Sequence, residues 1–348
     1  MVEIHPRSPY GLASIPRKTF PETTLEPDLP IVDAHHHLMH RPTNRYLHDD
    51  LLADMMGGHR IAATVYCECR AFLRSEGPEA LAPIGETEFA NGVAAMSASG
   101  IYGETRMCAG IVGFADLSGP HVEALLEGHI AAGGGRFRGV RQGVYWDASE
   151  AVYPFVSMRP PRGLLSSDAF RTGVRHLRAR DLTLDVALFH HQLPELVDLA
   201  KAEPELRIVL NHMGFALGVG PYAGRRQDVF AEWRTLLAEA ASCDNIVVKA
   251  GGLGVPLWGF PFANRDVRPD STEVATAWRP YFEACIDLFG PARCMFESNF
   301  PADRASCDYV TLWNAVKRIA QQYSAAEKAR MFSGTAIETY RLPLDAAL

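Results

Sequence analysis

The chain has 348 residues, of which 47% are hydrophobic and 22% are charged, and its formal net charge is -7 at pH 7. This composition indicates a soluble globular protein with a substantial core and excludes a globally disordered chain. The sequence has no basic block, which argues against nucleic acid or an anionic membrane as the main partner. We therefore expect a small or medium-sized molecule as the ligand.

The N-terminal residues, Met-Val-Glu-Ile-His-Pro-Arg, lack the basic start and apolar core of a signal peptide, and no apolar run approaches membrane-spanning length. We therefore expect a cytoplasmic protein. The cysteine count of 7 is odd, and most of these residues lie inside apolar runs. Cys67 and Cys69 form a C-x-C pair, but no second pair with zinc spacing accompanies it. Buried free thiols are therefore expected rather than disulfides or a cysteine metal site.

Residues 1–30 are rich in proline and show little periodicity, which predicts an extended N-terminal arm. From residue 31 onwards, short apolar runs alternate with segments of helical spacing, and this order is typical of a parallel sheet. We predict an α/β fold, a single (β/α)8 TIM barrel over residues 31–348 with long loops after its strands. An open doubly wound sheet is the alternative, although no Gly-x-Gly-x-x-Gly follows the first run. The predicted strands are 31–37, 60–69, 108–116, 137–146, 182–190, 207–213, 245–251 and 293–299.

The segments between these strands divide into helices and long connections. The connections 70–107, 147–181 and 252–271 are rich in glycine, proline and aromatic residues, and active-site loops of a barrel follow its strands in this way. The predicted helices are 46–57, 120–132, 193–202, 228–242 and 272–289, with closing helices over 308–334.

The first predicted strand ends in polar residues, Asp33, His35, His36 and His37. Because strand side chains alternate between faces, His35 and His37 are expected on one side together with Asp33, and His36 on the other. Two imidazoles on one face can converge on an ion or a substrate. The alternative is a surface strand end with three solvated histidines.

Polar residues also follow most of the later strands. In a parallel barrel all strands end at one rim, so these residues become neighbours whatever their separation in sequence. Some of them have structural alternatives: Lys249 and Glu297 could form a buried ion pair, and Arg141 could pair with Asp147 or Glu150. Glu68 could bond Arg70 or Arg141, and a structural role is favoured for His36 and His191. The rim candidates are Glu68, Arg70, Arg141, Gln142, His190, His191, Gln192, Asn211, His212, Lys249, Glu297, Asn299 and Asp303.

Four of these strand ends together resemble the amidohydrolase superfamily, specifically the amidohydrolase-2 branch that contains carboxylated-lactone hydrolases. The resemblance implies a (β/α)8 fold and hydrolysis at the rim, but it does not fix the substrate, because the branch also includes decarboxylases and metal-free members. The matching motifs are Asp33-Ala34-His35-His36-His37, His190-His191-Gln192, Asn211-His212-Met213-Gly214 and Ser298-Asn299-Phe300-Pro301.

One position departs from this family's pattern. The eighth strand usually carries Asp where this chain has Asn299, and asparagine cannot act as a base. We predict that Asp303, in the loop beyond the strand, supplies the carboxylate, with Glu297 as the alternative. Asp303 could instead cap the following helix.

The leading hypothesis is a hydrolase that opens a lactone or related cyclic ester bearing a carboxylate. His35, His37 and His190 would bind a divalent ion, expected to be zinc, and the ion or His212 would polarise the carbonyl. Asp303 would deprotonate the water, and Arg141 would hold the anionic group of the substrate.

Three further candidates for substrate binding are Glu68, Lys249 and Asn299. Three alternatives to the leading hypothesis remain open. In a metal-free version the histidines donate hydrogen bonds to the developing oxyanion. The other two are a metal-dependent decarboxylase of aromatic or unsaturated acids and a catalytically inactive barrel that binds a metabolite. The sequence leaves open whether the protein forms a homo-oligomer.

Overall fold

A computed structural model describes residues 21–42 and 44–344 and shows an eight-stranded parallel barrel surrounded by helices. The barrel strands follow the order β1-β4-β5-β6-β7-β8-β9-β10, and β2 and β3 form a small antiparallel hairpin after β1. This confirms the predicted TIM-barrel fold. The strands are β1 (Ile31–His36), β2 (Met39–Arg41), β3 (Asn44–Tyr46), β4 (Ile61–Cys67), β5 (Arg106–Phe114), β6 (Phe137–Gly143), β7 (Thr183–Ala187), β8 (Ile208–Leu210), β9 (Ile246–Ala250) and β10 (Cys294–Phe296).

The barrel closes where the chain beyond β10 lies beside β1. The backbone N–H of Asn299 donates to the carbonyl of His35 at 2.8 Å, and the N–H of His37 donates to the carbonyl of Phe300 at 2.7 Å. The first and last polar motifs of the sequence therefore become direct neighbours.

Ten α-helices are found in the described ranges, and two of them lie inside segments predicted as connections. Helix α2 lies within 70–107, and its two glycines and many small residues weaken the helical periodicity. Helix α4 lies within 147–181, where Ser167 caps its N-terminus by accepting from the N–H of Phe170. The helices are α1 (His48–Met55), α2 (Ile84–Ala98), α3 (Val122–Ala132), α4 (Asp168–Arg178), α5 (Leu193–Ala202), α6 (Arg226–Ala241), α7 (Ser271–Phe289), α8 (Tyr309–Ile319), α9 (Ala325–Ala329) and α10 (Thr335–Tyr340).

The barrel interior is filled by a cluster of apolar side chains. Val32, Val65, Val209 and Met295 come from four different strands, and Tyr340 of α10 packs against them. This packed layer is expected for a barrel of eight strands, whose interior is a core and not a pore.

Asp33 does not share a face with His35 and His37, so that prediction was wrong. Val32 and Ala34 point into the barrel interior, whereas the carboxylate of Asp33 accepts from the hydroxyls of Ser298 at 2.6 Å and Tyr309 of α8 at 3.0 Å. The register between β1 and β4 shifts between Asp33 and His36. This irregularity breaks the strict alternation of side chains and turns His35 inward.

The predicted arm over residues 1–30 is described from residue 21, and residues 1–20 lie outside the described ranges. The backbone N–H of Leu25 donates to Asn314 Oδ1 at 2.8 Å, and Lys317 Nζ donates to the carbonyls of Leu25 and Glu26 at 2.9 and 2.7 Å. This part of the chain therefore lies along α8, while the division at residue 30 stays a prediction. All seven cysteines are free and buried, as predicted. No helix within 21–42 or 44–344 is long and apolar enough to cross a membrane.

A buried carboxyl in α2 is expected to make the stability of the fold depend on pH. Glu86 Oε1 accepts from Tyr66 Oη at 2.8 Å and from the N–H of Cys69 at 2.7 Å, and burial together with the Glu68 carboxylate raises the pKa of Glu86 to about 7. The folded protein thus keeps a proton that the unfolded chain loses near pH 4.5. The resulting stability is fully present below that pH and is lost as the pH rises through about 7.

In the wild type, Glu86 should therefore lower the unfolding free energy by up to about 3 kcal/mol between about pH 5 and pH 8. In the Glu86→Gln variant this decrease should be absent. Urea unfolding at several pH values measures this. Glu88→Gln is the control, because Glu88 lies on the same helix and Arg74 lowers its pKa. Equal pH dependence in the Glu86→Gln variant and the wild type would contradict the assignment.

Candidate active site

The centre of the site is a histidine and a carboxylate from two different strand ends. His212 follows β8 and Glu297 follows β10, and His212 Nδ1 lies 2.7 Å from Glu297 Oε1, with both side chains buried. Since an ionised carboxylate only accepts, Nδ1 carries the proton of a neutral ring and Nε2 keeps its lone pair. His212 also lines a cavity of about 30 Å³, enough for roughly one water molecule. The pair has the geometry of an oriented general base.

A glycine-rich segment after β9 makes room for this pair, and the sequence analysis did not single it out. A Cβ on Gly251 would lie 2.4 Å from Glu297 Cγ, and a Cβ on Gly252 would lie 2.3 Å from His212 Nδ1. Both distances are shorter than the non-bonded contacts that Cβ atoms make in proteins. The signal that was present in the sequence is the Gly-Gly-Leu-Gly run directly after a strand, which is typical of a close approach to backbone.

His35 and His37 lie beside this pair, as expected from their strand. His35 Nδ1 is 3.2 Å from Glu297 Oε2, and its Nε2 is 3.2 Å from His37 Nε2. His37 Nδ1 is 2.9 Å from the carbonyl oxygen of Cys67. Burial holds the pKa of both rings well below the usual value, with further lowering by Lys249 for His35 and by Arg141 for His37. Both rings are therefore neutral near pH 7.

Arg141 reaches the same place from β6 and is paired with Glu68. Its Nε lies 2.8 Å from Glu68 Oε1, and its Nη2 donates to the backbone carbonyl of Glu68. A second end of the guanidinium, Nη1, lies 3.1 Å from His35 Nε2. Of the two partners considered for Glu68, the structure therefore selects Arg141.

The alternative partners of Arg141 are occupied elsewhere. Asp147 accepts from Tyr222 Oη at 2.7 Å and lies 3.0 Å from His191 Nε2, and Glu150 pairs with Arg159 at 2.6 Å. The structural role favoured for His191 is consistent with this contact.

Lys249 is fully buried and forms its ion pair with Asp185 rather than with Glu297. Its Nζ lies 2.8 Å from Asp185 Oδ2, and the same oxygen accepts from Tyr340 Oη at 2.8 Å. Burial alone would lower the pKa of Lys249, but the interactions with Asp185, Cys67 and Glu297 together outweigh it and the net shift is upward. Lys249 is therefore a charged group inside the barrel and has no surface for direct substrate contact.

Asp303, the predicted base, is completely buried. Its carboxylate oxygens accept from Asn299 Nδ2 at 2.7 Å and from the N–H of Gly254 at 2.8 Å, and burial raises its pKa well above the usual value. Asn299 lines the small cavity beside His212, whereas Asp303 does not. Asp303 is also not a helix cap, because α8 begins after Asp308.

His190 lies in a separate group of side chains. Its Nδ1 lies 3.5 Å from the N–H of Leu217, its ring packs against Tyr222, and burial lowers its pKa to about 4. Its buried Nε2 has no hydrogen-bond partner, and Glu232 Oε2 lies 4.0 Å away. The structure therefore does not bring His190 together with His35 and His37 as a set of three donors.

The donors that do come together are His35, His212 and Glu297, whose ligand atoms lie within 4.8 Å of one another. Among the residues that the structure describes, this is the one group of three or more such donors that could hold a metal ion. Two imidazoles and a carboxylate suit zinc, and Glu297 Oε2 is buried without a hydrogen-bond partner. The residues present therefore fit a metal ion. This group shares His35 with the predicted set of His35, His37 and His190, and the predicted set stays a prediction.

The chain is similar in sequence to a known protein family and to several known proteins. A family model described as Amidohydrolase matches residues 32–342. A protein of Sinorhizobium fredii, described only as uncharacterized protein y4mH, is 30% identical over 333 residues, which are 90% of this chain and 99% of that protein. An L-fucono-1,5-lactonase of Burkholderia multivorans is 29% identical over 242 residues, 69% of this chain and 73% of that enzyme.

Solved structures agree with this comparison. An amidohydrolase from Burkholderia multivorans with bound zinc is 25% identical, with a TM-score of 0.68 over 90% of this chain and 99% of that one. A 5-carboxyvanillate decarboxylase from Novosphingobium aromaticivorans, complexed with manganese, is 14% identical, with a TM-score of 0.56 over 91% of this chain and 97% of that one. At this identity the second likeness shows the fold alone.

Proposed function

Because the chain belongs to the amidohydrolase family and is an enzyme of that family, we propose that it is a hydrolase that opens a lactone or related cyclic ester. The observation that carries this proposal is the buried His212–Glu297 pair beside a cavity that Arg141 also lines. The lactonase among its relatives supports the same class of bond. A lactone carbonyl attacked by water needs a base for the water and a donor for the oxygen that becomes negative.

His212 is the base in this proposal, in place of Asp303. Its Nε2 takes a proton from the attacking water, and Glu297 Oε1 accepts the Nδ1–H and stabilises the imidazolium that forms. When the tetrahedral intermediate collapses, the imidazolium returns the proton to the ring oxygen that leaves as an alcohol. The balanced reaction consumes one lactone and one water and yields one hydroxy acid.

The cavity of about 30 Å³ holds a water but not a lactone, so this proposal requires its lining to move apart when the substrate binds. Arg141 then binds the oxygen of the carbonyl that becomes negative during the attack. The ion pair with Glu68 fixes the guanidinium plane at one end, while the side chain lines the cavity. Arg141 is the one cationic side chain among the described residues that line this cavity. The described residues that line this cavity include no second cation, so no further charged side chain there supports the carboxylated substrate inferred from the sequence.

With a metal ion bound, His35, His212 and Glu297 would be its ligands and the ion would supply Lewis-acid polarisation of the carbonyl, so the role of His212 as the base belongs to the metal-free form of the site. Zinc is the ion that this donor set favours. The hydrogen bond from His37 Nδ1 to the carbonyl of Cys67 orients the ring of His37 beside His35, with or without a metal ion.

The proposal is tested by assaying the purified protein on a panel that contains a 1,5-lactone and a 1,4-lactone of sugar acids, a carboxylated lactone and aromatic carboxylic acids. We expect saturable acid release from at least one lactone, followed in a pH-stat, and no carbon dioxide from the aromatic acids. Carbon dioxide release without acid release would assign the protein to the decarboxylases. Binding of lactones without turnover would instead indicate an inactive barrel.

A further inference from the structure

A large cleft lies at the same rim of the barrel as the His212–Glu297 pair. Its volume is about 620 Å³, and its lining includes Arg70 after β4, Phe114 of β5 and Gln142 of β6. The cavity beside His212, at about 30 Å³, is too small for a lactone. The cleft falls in the size range of ligand-binding pockets, so it has room for the part of a substrate that the cavity does not hold.

Arg70 is a cation in this cleft without an ion-pair partner among the described residues. Its guanidinium lies over the ring of Phe114, 4.3 Å from the centroid. Its backbone is left-handed, with a φ of +61°. The N–H groups on either side of it, those of Cys69 and Ala71, donate to Glu86 Oε1 at 2.7 and 3.3 Å. An unfavourable backbone conformation that is held by a buried carboxyl group is typical of a functional position.

Gln142 and Asp116 contribute a donor and an acceptor to the same cleft. Gln142 is 5% exposed, and its Oε1 accepts from the N–H of Leu117 at 3.1 Å, which fixes the orientation of the amide. Its Nε2 has no hydrogen-bond partner in the described part of the chain. Asp116 Oδ1 accepts from the N–H and the hydroxyl of Ser118 at 3.0 and 2.6 Å, while its Oδ2 is without a partner among the described residues. Both unused groups are therefore available to a ligand.

These three side chains are neighbours at the ends of consecutive strands. Arg70 lies on Phe114, and Gln142 follows the β6 residue that pairs with Phe114. The N–H that donates to Gln142 belongs to the residue after Asp116. A hydroxyl group both donates and accepts, so it can bond to each of them, whereas a carboxylate or phosphate only accepts and is repelled by Asp116. The cleft therefore suits a hydroxylated group.

One layer of side chains separates the cleft from the cavity of about 30 Å³. Residues 155–157 line the cavity, and residues 158–161 line the cleft. A Cβ on Gly143 would lie 2.7 Å from the ring of Tyr145, which lines the cavity, and 3.0 Å from Met158 Sδ, which lines the cleft. Tyr145 and Met158 therefore meet over Gly143 and form the partition.

The segment 155–161 is attached to the rest of the protein by weak contacts. Arg159 pairs with Glu150 at 2.6 Å, but the two side chains are 56% and 76% exposed, and exposed pairs contribute little to stability. Met158 is unbranched and adapts its shape at low cost. This segment is therefore the part of the wall that moves most easily, and its movement joins the cavity to the cleft.

We propose that the cleft binds a hydroxylated chain that a lactone substrate carries outside its ring, and that Arg70 and Gln142 determine this specificity. The carbonyl of the lactone lies beside His212, and the chain passes over Gly143 once the segment 155–161 has moved aside. The hydroxyls of the chain accept from Arg70 and from Gln142 Nε2 and donate to Asp116 Oδ2. The inference rests on the proposed lactone hydrolysis for its reaction, whereas binding of the chain is measurable without turnover.

The first test uses two 1,4-lactones with the same hydroxylated ring. One comes from a six-carbon sugar acid and carries a dihydroxyethyl chain on the ring, and the other comes from a four-carbon sugar acid and carries none. Arg70→Gln should raise KM for the six-carbon lactone roughly tenfold or more, the scale of a lost hydrogen bond to a charged group, with kcat within a few-fold. Both constants for the four-carbon lactone should stay unchanged.

Gln142→Glu is a second variant with the same expectation. Glutamate still accepts from the N–H of Leu117, so the local structure is kept, but it has no Nε2–H to donate. Arg74→Gln is the matched control, because Arg74 is also an exposed arginine after β4 but pairs with Glu88 and does not line the cleft. Its kinetic constants should equal those of the wild type for both lactones.

Calorimetric titration with D-gluconate, the open-chain acid with the longer chain, tests the cleft even if neither lactone is hydrolysed. The wild type should bind D-gluconate more tightly than the four-carbon hydroxy acid, and Arg70→Gln should weaken only the binding of D-gluconate. Absence of D-gluconate binding to the wild type would overturn the proposal. Equal weakening of both acids would also overturn it, because Arg70 would then bind the carboxylate and not the chain. Binding of D-gluconate without lactone hydrolysis would contradict the proposed function and leave this inference standing.

Discussion

Replacing His212 by glutamine is expected to lower kcat for lactone hydrolysis by roughly 10² to 10⁴-fold, the usual contribution of a general base, with a smaller change in KM. Glutamine can still bond Glu297, but it cannot take a proton from water. Steady-state kinetics on the best lactone of the panel measure both constants.

His191→Gln is the control for this experiment. His191 belongs to the same group of polar strand-end residues in the sequence, but in the structure its Nε2 lies 3.0 Å from Asp147 Oδ2 and it does not contact the His212–Glu297 pair. Its replacement should leave kcat within a few-fold of the wild type. Equal losses in the two variants would show that the His212 effect is not specific to a base.

Glu297→Gln tests whether the carboxylate acts through His212. Glutamine keeps the volume of the side chain but cannot stabilise an imidazolium at Nδ1, so kcat should fall in this variant as well. The double variant, His212→Gln with Glu297→Gln, should lose much less kcat than the product of the two single losses, because the effects of residues that act as one unit are not additive. Additive losses would place Glu297 in a role independent of His212.

The barrel could be predicted from the sequence because its strands are buried on both faces. Such strands appear as short apolar runs, and the order of runs and helices determines a parallel sheet without any knowledge of side-chain contacts. Glu68, Arg141 and His212 followed as rim residues from topology alone. Helix α2 was missed because its buried residues include glycine, threonine and glutamate, which carry no hydrophobic period.

The hydrogen-bond partners of the rim residues could not be predicted, because they depend on one-residue shifts in the register between neighbouring strands. The register irregularity in β1 sends the Asp33 carboxylate to Ser298 and Tyr309 and turns His35 towards Lys249. A pattern with strict alternation cannot contain that information. The position of Glu297 opposite His212 is of the same kind, and it explains how the site keeps a carboxylate although Asn299 has none.

Replacing Gly252 by alanine is expected to lower kcat by roughly 10²-fold or more, although the residue has no side chain in the site. Its φ is +72°, and an added Cβ would lie 2.3 Å from His212 Nδ1 and 2.9 Å from His212 Cβ. The left-handed backbone costs an L-residue about 1–2 kcal/mol, and the overlap adds about 1–3 kcal/mol unless His212 moves. Movement of His212 breaks its 2.7 Å hydrogen bond to Glu297.

Gly100→Ala separates the two effects, because Gly100 has a φ of +79° but no atom within 4 Å of an added Cβ. Chemical unfolding should show a loss of about 1–2 kcal/mol for Gly100→Ala and a larger loss for Gly252→Ala. Only Gly252→Ala should lose activity at temperatures at which both variants are folded. If both variants kept full activity, the ring of His212 would not need its observed position, and the role of this histidine as the base would have to be abandoned.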